Sequence, residues 1–600
     1  MTPHAPDSRP RGQTAIEYLL MAGAVIFFVI LAVLIFRGGV FPGANQQLSG
    51  SGNVLGGLFN DIRGNATEYI TGLNATPTPG AVGPPTITSG PSETIGLGFA
   101  YITFTTSEPA NMTIYYGTTS GGPYTGSVSH SSFHTTHSAD GDHNLTGLTP
   151  GSTYYYTIQL CDSSGNCQTT SEQSFISGTS LCACGIVYNA PGNYLVCGNL
   201  SQSAPGDCVT FNIGAATSTL DCQGHTLIGD TFTYGSANGI TLNKTNNVTI
   251  NNCSATLWTY GLYSNSSNFS TIINSTFYGN TVNMYFNPST DGLIEDTTFA
   301  SPSSDNVVLD RSDRNTFRRA RFLSGDGIYA TDTNDLAVTQ STFTSGGGNT
   351  AVELQGGGGG TFSSNTITNH NFVFLLTNSD NNDILDNTAT GDIGYSVWLT
   401  SGSSSNTIDG NDFHTTGCCA GRSVQIEGGS NSNQVTNNRL ESDTNSEGIG
   451  IEESSGNTIS NNQIINHGVG ISLRSGDSNT LTLNTITQPF GTALAINVYD
   501  SGGDQPNGNT ISGNILTATG GYNPPGGLSV GCTLCSGNTV TGNTITDSGG
   551  STSIFVYENT GGGGNSCPAG TCYQGCLEPP PGSCAAVICS ISDWSPADCV

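Results

Sequence analysis

Glu427 follows "VQI", Glu452 follows "IGI" and Arg474 follows "ISL", so two carboxylates and a guanidinium end three equivalent segments in succession. If those segments are strands stacked in register, the three side chains stand in one exterior column, ~5 Å apart per step. Stacked carboxylates repel, and one of the two is expected to keep its proton above the ordinary range. Such a pair suits general acid–base work on a glycosidic bond. With Glu453 beside it, the cluster would suit Ca²⁺, the one cofactor the sequence suggests. The plainer reading is a polar stripe softened by Arg474.

A second cluster is "LDRSDRNTFRRARF" (309-322), which holds Arg311, Arg314, Arg318, Arg319 and Arg321, five of the twelve arginines in the chain. Guanidinium groups grip acidic sugars through paired hydrogen bonds, so this is a candidate ligand patch. The plainer reading is a solvated face neutralised by Asp310 and Asp313. No confident catalytic set emerges. The Asn-Thr-Asp, Asp-Asp, Gly-His-Gly and Arg-Ile-Lys signatures of polygalacturonase-like hydrolases are absent, as is the Asp-Pro-His of alginate epimerases.

Bulk composition removes other classes. The 600 residues carry 43 Asp plus Glu against 13 Lys plus Arg, a formal charge of -30, and the only lysine is Lys244. Nucleic acid is therefore not an expected partner, since it needs a basic face. Four methionines and scattered histidines give copper no ligand set. Eighteen cysteines, with Cys161/Cys167 and Cys532/Cys535 close in sequence, point to disulfides in an oxidising compartment rather than to zinc. No metal site is assigned.

The elements that must position these residues repeat. From 182 to 560 the chain returns to Gly-Ile-x-Leu, a polar turn, Asn-Thr-Ile-x-x-Asn-x-Ile and another turn, as in "GIGIEESSGNTISNNQIINHG" (448) and "GISLRSGDSNTLTLNTITQPFG" (470). Three short alternating runs per period of 20-odd residues describe a right-handed parallel β-helix. About fourteen rungs at ~4.8 Å make a rod. Inward Ile, Leu and Val fill its core, and Asn at the bends is expected both to adopt left-handed geometry and to form amide ladders. The opening "YLVCGNLSQSAPGDCVTFNIGAATSTLDCQGHTLIGD" resembles the first rungs of NosD-like and pectate-lyase-like β-helix families, with His225 a structural rather than a catalytic residue there. The fold class is thus mainly β, the β-helix being preceded by a small β-domain and an N-terminal apolar helix.

The N-terminal run "RGQTAIEYLLMAGAVIFFVILAVLIF" is nearly all apolar from Tyr18 to Phe36, long enough to span a bilayer core. With Gly12, Gln13, Glu17 and Tyr18 in this register, it resembles archaeal type IV pilin-like proteins with a class III signal peptide; Ala15 stands where that family usually has Ser. The resemblance implies a leader over 1-12 cut between Gly12 and Gln13 by a prepilin-peptidase-like enzyme. It implies a hydrophobic helix and stalk over 13-75, and pairing of Glu17 with the new α-amino group of a neighbouring pilin-like subunit. A Pro/Gly linker follows at 76-85.

Residues 86-178 alternate as strands. "LTGLTPGSTYYYTIQLCDSSGNC" resembles the end of a fibronectin type III domain, with Cys161 and Cys167 flanking its hairpin. His134, His137 and His143 nearby read as exposed strand and loop residues. After a glycine hinge at 561-564, residues to 600 carry six cysteines. Asn-x-Ser/Thr sequons mark Asn65, Asn74, Asn111, Asn144, Asn199, Asn243, Asn247, Asn252, Asn265, Asn268 and Asn274 as glycosylation candidates, with none later. The leading expectation is a cell-surface protein, anchored by or assembled through its N-terminal helix, that binds a surface polysaccharide or another cell through the β-helix. Two others stand beside it: a surface-anchored polysaccharide lyase, hydrolase or epimerase, and a purely structural envelope component.

Overall fold

A computed structural model describes residues 83–137, 144–230, 235–345, 349–391, 393–416, 421–444, 446–488, 494–499, 505–518, 526–531, 537–547, 554–556, 560–563 and 572–574. The leader and Gly12, Gln13 and Glu17, the apolar helix and stalk, most of the linker, Asn65, Asn74, His143, Cys532, Cys535 and most of the cysteine-rich tail lie outside the described residues. Among the described residues no helix is long and apolar enough to cross a membrane. The one helical element described is a single 3-10 turn, Ile213–Ala215.

Residues 87–176 form an antiparallel β-domain around the long strand Phe99–Gly117, which pairs with Ile87–Gly96, Gly126–His137, Asn144–Thr146 and Thr153–Cys161. Strict alternation puts Ala100, Ile102, Phe104, Met112, Ile114, Tyr156, Ile158 and Leu160 into one buried cluster. Cys161 and Cys167 face each other across the terminal hairpin and are disulfide-bonded. His137 departs from the exposed role expected for it. It ends its strand opposite Phe104, so it points inward, is 1% exposed and stacks on the Phe104 ring at 4.4 Å.

From Gly178 onward three parallel sheets wind into a β-helix, each strand pairing with its equivalent in the next turn. One of them, in strands of two to four residues, holds fifteen strands among the described residues. The glycine run expected to be a hinge instead contributes the strand Thr560–Gly563, whose backbone pairs with Asn538–Thr541. An open sheet edge templates such a strand even without side chains to pack.

One sheet is wider than the others, built of strands about six residues long such as Asp305–Asp310, Phe372–Thr377 and Tyr395–Thr400. In each of these the burial pattern runs outward, inward, inward, outward, inward, outward. The first inward residue is pressed against the next turn, which explains the recurring glycine of the Gly-Ile-x-Leu motif. A Cβ on Gly448 would lie 2.7 Å from Ile464 Cγ2. Val424, Ile426, Ile449, Ile451, Ile471 and Leu473 stack behind it, fully buried.

At the two bends flanking the second sheet run asparagine ladders. Asn411 and Asn438 illustrate one: the Asn438 Oδ1 accepts from the Asn411 backbone N–H and from its Nδ2, each at 2.9 Å. Asn438 Nδ2 donates onward to Asn462 Oδ1 at 3.0 Å and to the Ile408 carbonyl at 2.8 Å. The left-handed backbone is not at these asparagines. It is at the residue before each, as at Asn437, Asn461 and Leu483 with φ of 57°, 58° and 58°. The two tasks expected of one asparagine are split between neighbours because the ladder side chain must point inward while the turn residue projects to solvent. At the N-terminal end of one ladder the position is taken by Cys222 and Cys253, which are disulfide-bonded. Cys182–Cys197 and Cys184–Cys208 close the first turns beside them.

Candidate functional site

The outward positions of the wide sheet form three columns along the rod. Pairing places Phe372, Tyr395, Arg422 and Glu447 in one column. Trp398, Gln425, Gly450 and Ser472 make the second, and Glu452, Arg474 and Tyr499 the third; Glu427 follows Ile426, the partner of Ile451, just past the end of its strand. Glu427, Glu452 and Arg474 are therefore brought together in the register their sequence positions imply. What stands beside them was not read from the sequence.

Arg422 lies at the centre. Its Nε reaches Glu447 Oε2 at 2.5 Å and its Nη1 reaches Glu452 Oε1 at 2.8 Å; it also donates to Gln425 Oε1. The side chain crosses Gly450, where an added Cβ would come within 2.8 Å of Arg422 Cδ. Burial works against the Arg422 charge, but Glu447 and Glu452 outweigh it and hold the guanidinium pKa above its ordinary value. Arg474 Nη1 approaches Glu452 Oε2 at 3.6 Å. Burial, then Glu447 and Glu452, push the Tyr499 hydroxyl pKa up.

Glu427 is satisfied from the other direction. Trp398 Nε1 donates to its Oε1 at 3.0 Å and Gln425 Nε2 to its Oε2 at 2.8 Å. The structure thus gives each stacked carboxylate its own donors, instead of the bare repelling pair expected. Glu453 sits in the following turn with φ of 49°. Among the described residues no three His, Cys, Asp or Glu side chains converge as a metal site.

Toward the N-terminus the same face carries two groups of aromatic rings. Phe372, Tyr395 and Trp398 stack with centroids 5.5 and 4.8 Å apart in sequence. Tyr260, Tyr263 and Tyr285 stack at 5.1 to 5.7 Å. Between the two groups Asp305 and Asp326 face outward from adjacent turns, one ladder step of ~4.8 Å apart. Asp326 is half-buried and accepts from the Thr350 N–H at 2.6 Å. Its pKa is raised, first by burial and then by the Asp305 charge. Tyr329 donates to Gln355 at 3.0 Å and Gln355 to Glu353 at 2.8 Å, on the neighbouring turns. The signal for these residues was present: Asp305 and Asp326 precede the small inward residue of the motif, where Arg422 and Glu447 also stand.

The arginine-rich segment lies mainly in turns beside another sheet. Arg314 Nε meets Asp291 at 2.7 Å, Arg318 meets Glu295 at 2.6 Å and Arg319 meets Asp296 at 2.7 Å, all across one turn of the helix. Arg311 pairs with Asp310 at 2.9 Å. Asp313 instead accepts from the Asn334 N–H. Arg321 is exposed.

Among the sequons, Asn199, Asn247, Asn252 and Asn274 are exposed. Asn243 and Asn265 take part in an exterior amide ladder with Asn212, Asn268 accepts from the Thr290 N–H, and Asn111 and Asn144 lie on strands of the small domain. His225 caps no ligand set and holds the turn between Cys222 and Ser254 through its backbone.

A family model described as "Right handed beta helix region" matches residues 219–349, 326–486 and 417–566. Solved structures are similar to the chain at low identity. The periplasmic alginate epimerase AlgG is 12% identical, with 65% of this chain and 85% of that one covered and a TM-score of 0.29. The AlgE6 A-module of the Azotobacter vinelandii mannuronan C-5 epimerase is 16% identical, with 63% and 91% covered and a TM-score of 0.27. The catalytic unit of a GH87 alpha-1,3-glucanase from Streptomyces thermodiastaticus is 14% identical, with 80% and 98% covered and a TM-score of 0.27. No curated protein matches the chain.

Proposed function

We propose that this chain, which belongs to the right-handed β-helix family, is a polysaccharide-active protein that holds an extended glycan along the outer face of its wide sheet. The observation that carries the reading is the face itself. Aromatic rings at Tyr260–Tyr285 and Phe372–Trp398 alternate with hydrogen-bonding carboxylates, in register over successive turns. Aromatic faces pack against the C–H faces of sugar rings, and carboxylates accept from their hydroxyls. One ladder step is comparable in length to one sugar unit, so a chain laid along the rod meets the same chemistry turn after turn.

A catalytic reading is favoured by one pair. Asp326, whose pKa is raised by burial and by the Asp305 charge, would protonate the leaving oxygen, while Asp305 attacks or stabilises the anomeric carbon. A separation near one ladder step suits a retaining glycoside hydrolase. The experiment is incubation of the full chain with a panel of polysaccharides, followed for both retention and shortened products. Products lost in Asp326→Asn with retention kept would support hydrolysis. Retention without products in the wild type would leave a binding protein, and no retention would overturn the reading.

The proposal extends to placement. The pilin-like N-terminus would hold the β-helix at an archaeal cell surface or in a filament, with the fibronectin-like domain as a spacer. Replacing Glu17 by Gln should impair assembly with other pilin-like subunits while membrane insertion persists; unchanged assembly would count against it.

A further inference from the structure

We infer that the glycan taken by this face is a neutral polysaccharide and not a polyuronate or sulfated chain. The inference rests on the reading that the face holds a glycan, and it concerns the chemistry of that glycan. Among the described residues, Asp305, Asp326, Glu353, Glu427, Glu447 and Glu452 stand along the outward columns against Arg422 and Arg474 alone. Asp310, also outward, is neutralised by Arg311.

Neither guanidinium is offered to a ligand. Arg422 bridges Glu447 and Glu452, and Arg474 sits against the other oxygen of Glu452. A uronate that took Arg422 would leave Glu447 half-buried without its cation and Glu452 with the more distant Arg474. Of the remaining arginine cluster, Arg314, Arg318 and Arg319 are spent on Asp291, Glu295 and Asp296, and the exposed Arg321 lies on another sheet. The whole chain carries -30 with a single lysine, so its field opposes the approach of a polyanion.

The same groups suit an uncharged sugar. Hydroxyls donate, and this face is rich in acceptors. Trp398 is held by Glu427 at 3.0 Å in a stack with Tyr395 and Phe372, which fixes the ring plane before a ligand arrives and lowers the ordering cost of binding.

The test is affinity electrophoresis of the purified full chain through gels containing glucans, mannans, xylan or arabinogalactan, and through gels containing alginate, polygalacturonate or hyaluronate. Each is run at low and high salt and with a chelator. The expected result is retention by at least one neutral polymer with little salt dependence, and at least about tenfold weaker retention by every polyanion. Trp398→Ala should weaken the neutral retention about tenfold; Tyr395→Ala serves as an independent variant of the same stack. Retention by a polyanion that equals or exceeds the neutral polymers, and weakens with salt or chelator, would overturn the inference while leaving the glycan reading intact. Retention by no polymer of either kind would overturn the glycan reading itself, and the inference with it.

Discussion

Trp398 Nε1 donates to Glu427 Oε1 across one turn of the helix at 3.0 Å. The bond couples a ring that faces solvent to a carboxylate whose second oxygen is already held by Gln425. Removing the carboxylate by Glu427→Ala should cost about 1 kcal/mol of stability and shift the tryptophan emission as the indole loses its partner. Glu427→Gln keeps one acceptor for Trp398 and loses the one for Gln425, so it should cost less than Glu427→Ala in denaturant unfolding. Equal effects of the two substitutions would show that the bond is not formed in solution.

Arg422→Gln removes the cation between Glu447 and Glu452. Glu447 is then left half-buried without its cation and Glu452 with the more distant Arg474, at a cost of about 2 kcal/mol. The sign of its pH dependence follows. The deficit comes from uncompensated negative charge, so it is full at high pH and shrinks as acid removes that charge. Denaturant midpoints of wild type and variant should converge toward acid pH; a constant gap would contradict the account.

His370 and His467 are buried at equivalent bends, and burial lowers each pKa to about 4 from 6.5. The unfolded chain binds these protons first. The stability that the two neutral rings represent is therefore complete above the unfolded value and is lost as pH falls from about 6.5 toward about 4. Asn280 occupies the corresponding bend of an earlier turn, so asparagine fits there. The double substitution His370→Asn with His467→Asn should flatten the stability profile over that window, read as thermal midpoints across pH.

The Asn438 side chain makes four hydrogen bonds within its ladder. Asn438→Ala strands the Asn411 N–H and the Ile408 carbonyl in a dry bend, for a loss of about 3 kcal/mol. Asn438→Ser should cost less, because Ser341 already accepts from the Ala320 N–H at 3.1 Å at the same ladder position three turns before Asn411. In a solenoid each turn contacts its neighbours only, so the damage should appear first as local hydrogen exchange in the turns of Asn411 and Asn462.

The repeat was legible because one period sets the spacing of every core residue, and Glu427, Glu452 and Arg474 were legible because they follow the inward Ile or Leu of the motif. Arg422, Glu447, Asp305 and Asp326 were not. They precede the small inward residue, outside the segment in which the repeat is most regular. Arg314, Arg318 and Arg319 were read beside Asp310 and Asp313, their neighbours in sequence, whereas their partners stand one turn earlier at Asp291, Glu295 and Asp296. Contacts between turns are invisible to local pattern. The disulfides Cys184–Cys208 and Cys222–Cys253 join residues of successive turns for the same reason.

The central claim is that a glycan lies on the wide sheet. It is tested most directly by comparing retention of three full-length chains on one polymer that the wild type binds: wild type, Trp398→Ala, and Arg318→Gln with Arg319→Gln on another sheet. The account predicts about tenfold weaker retention for Trp398→Ala and none of that loss for the arginine pair. Loss in the arginine variant with retention intact in Trp398→Ala would contradict it and move the ligand to the arginine-rich turns.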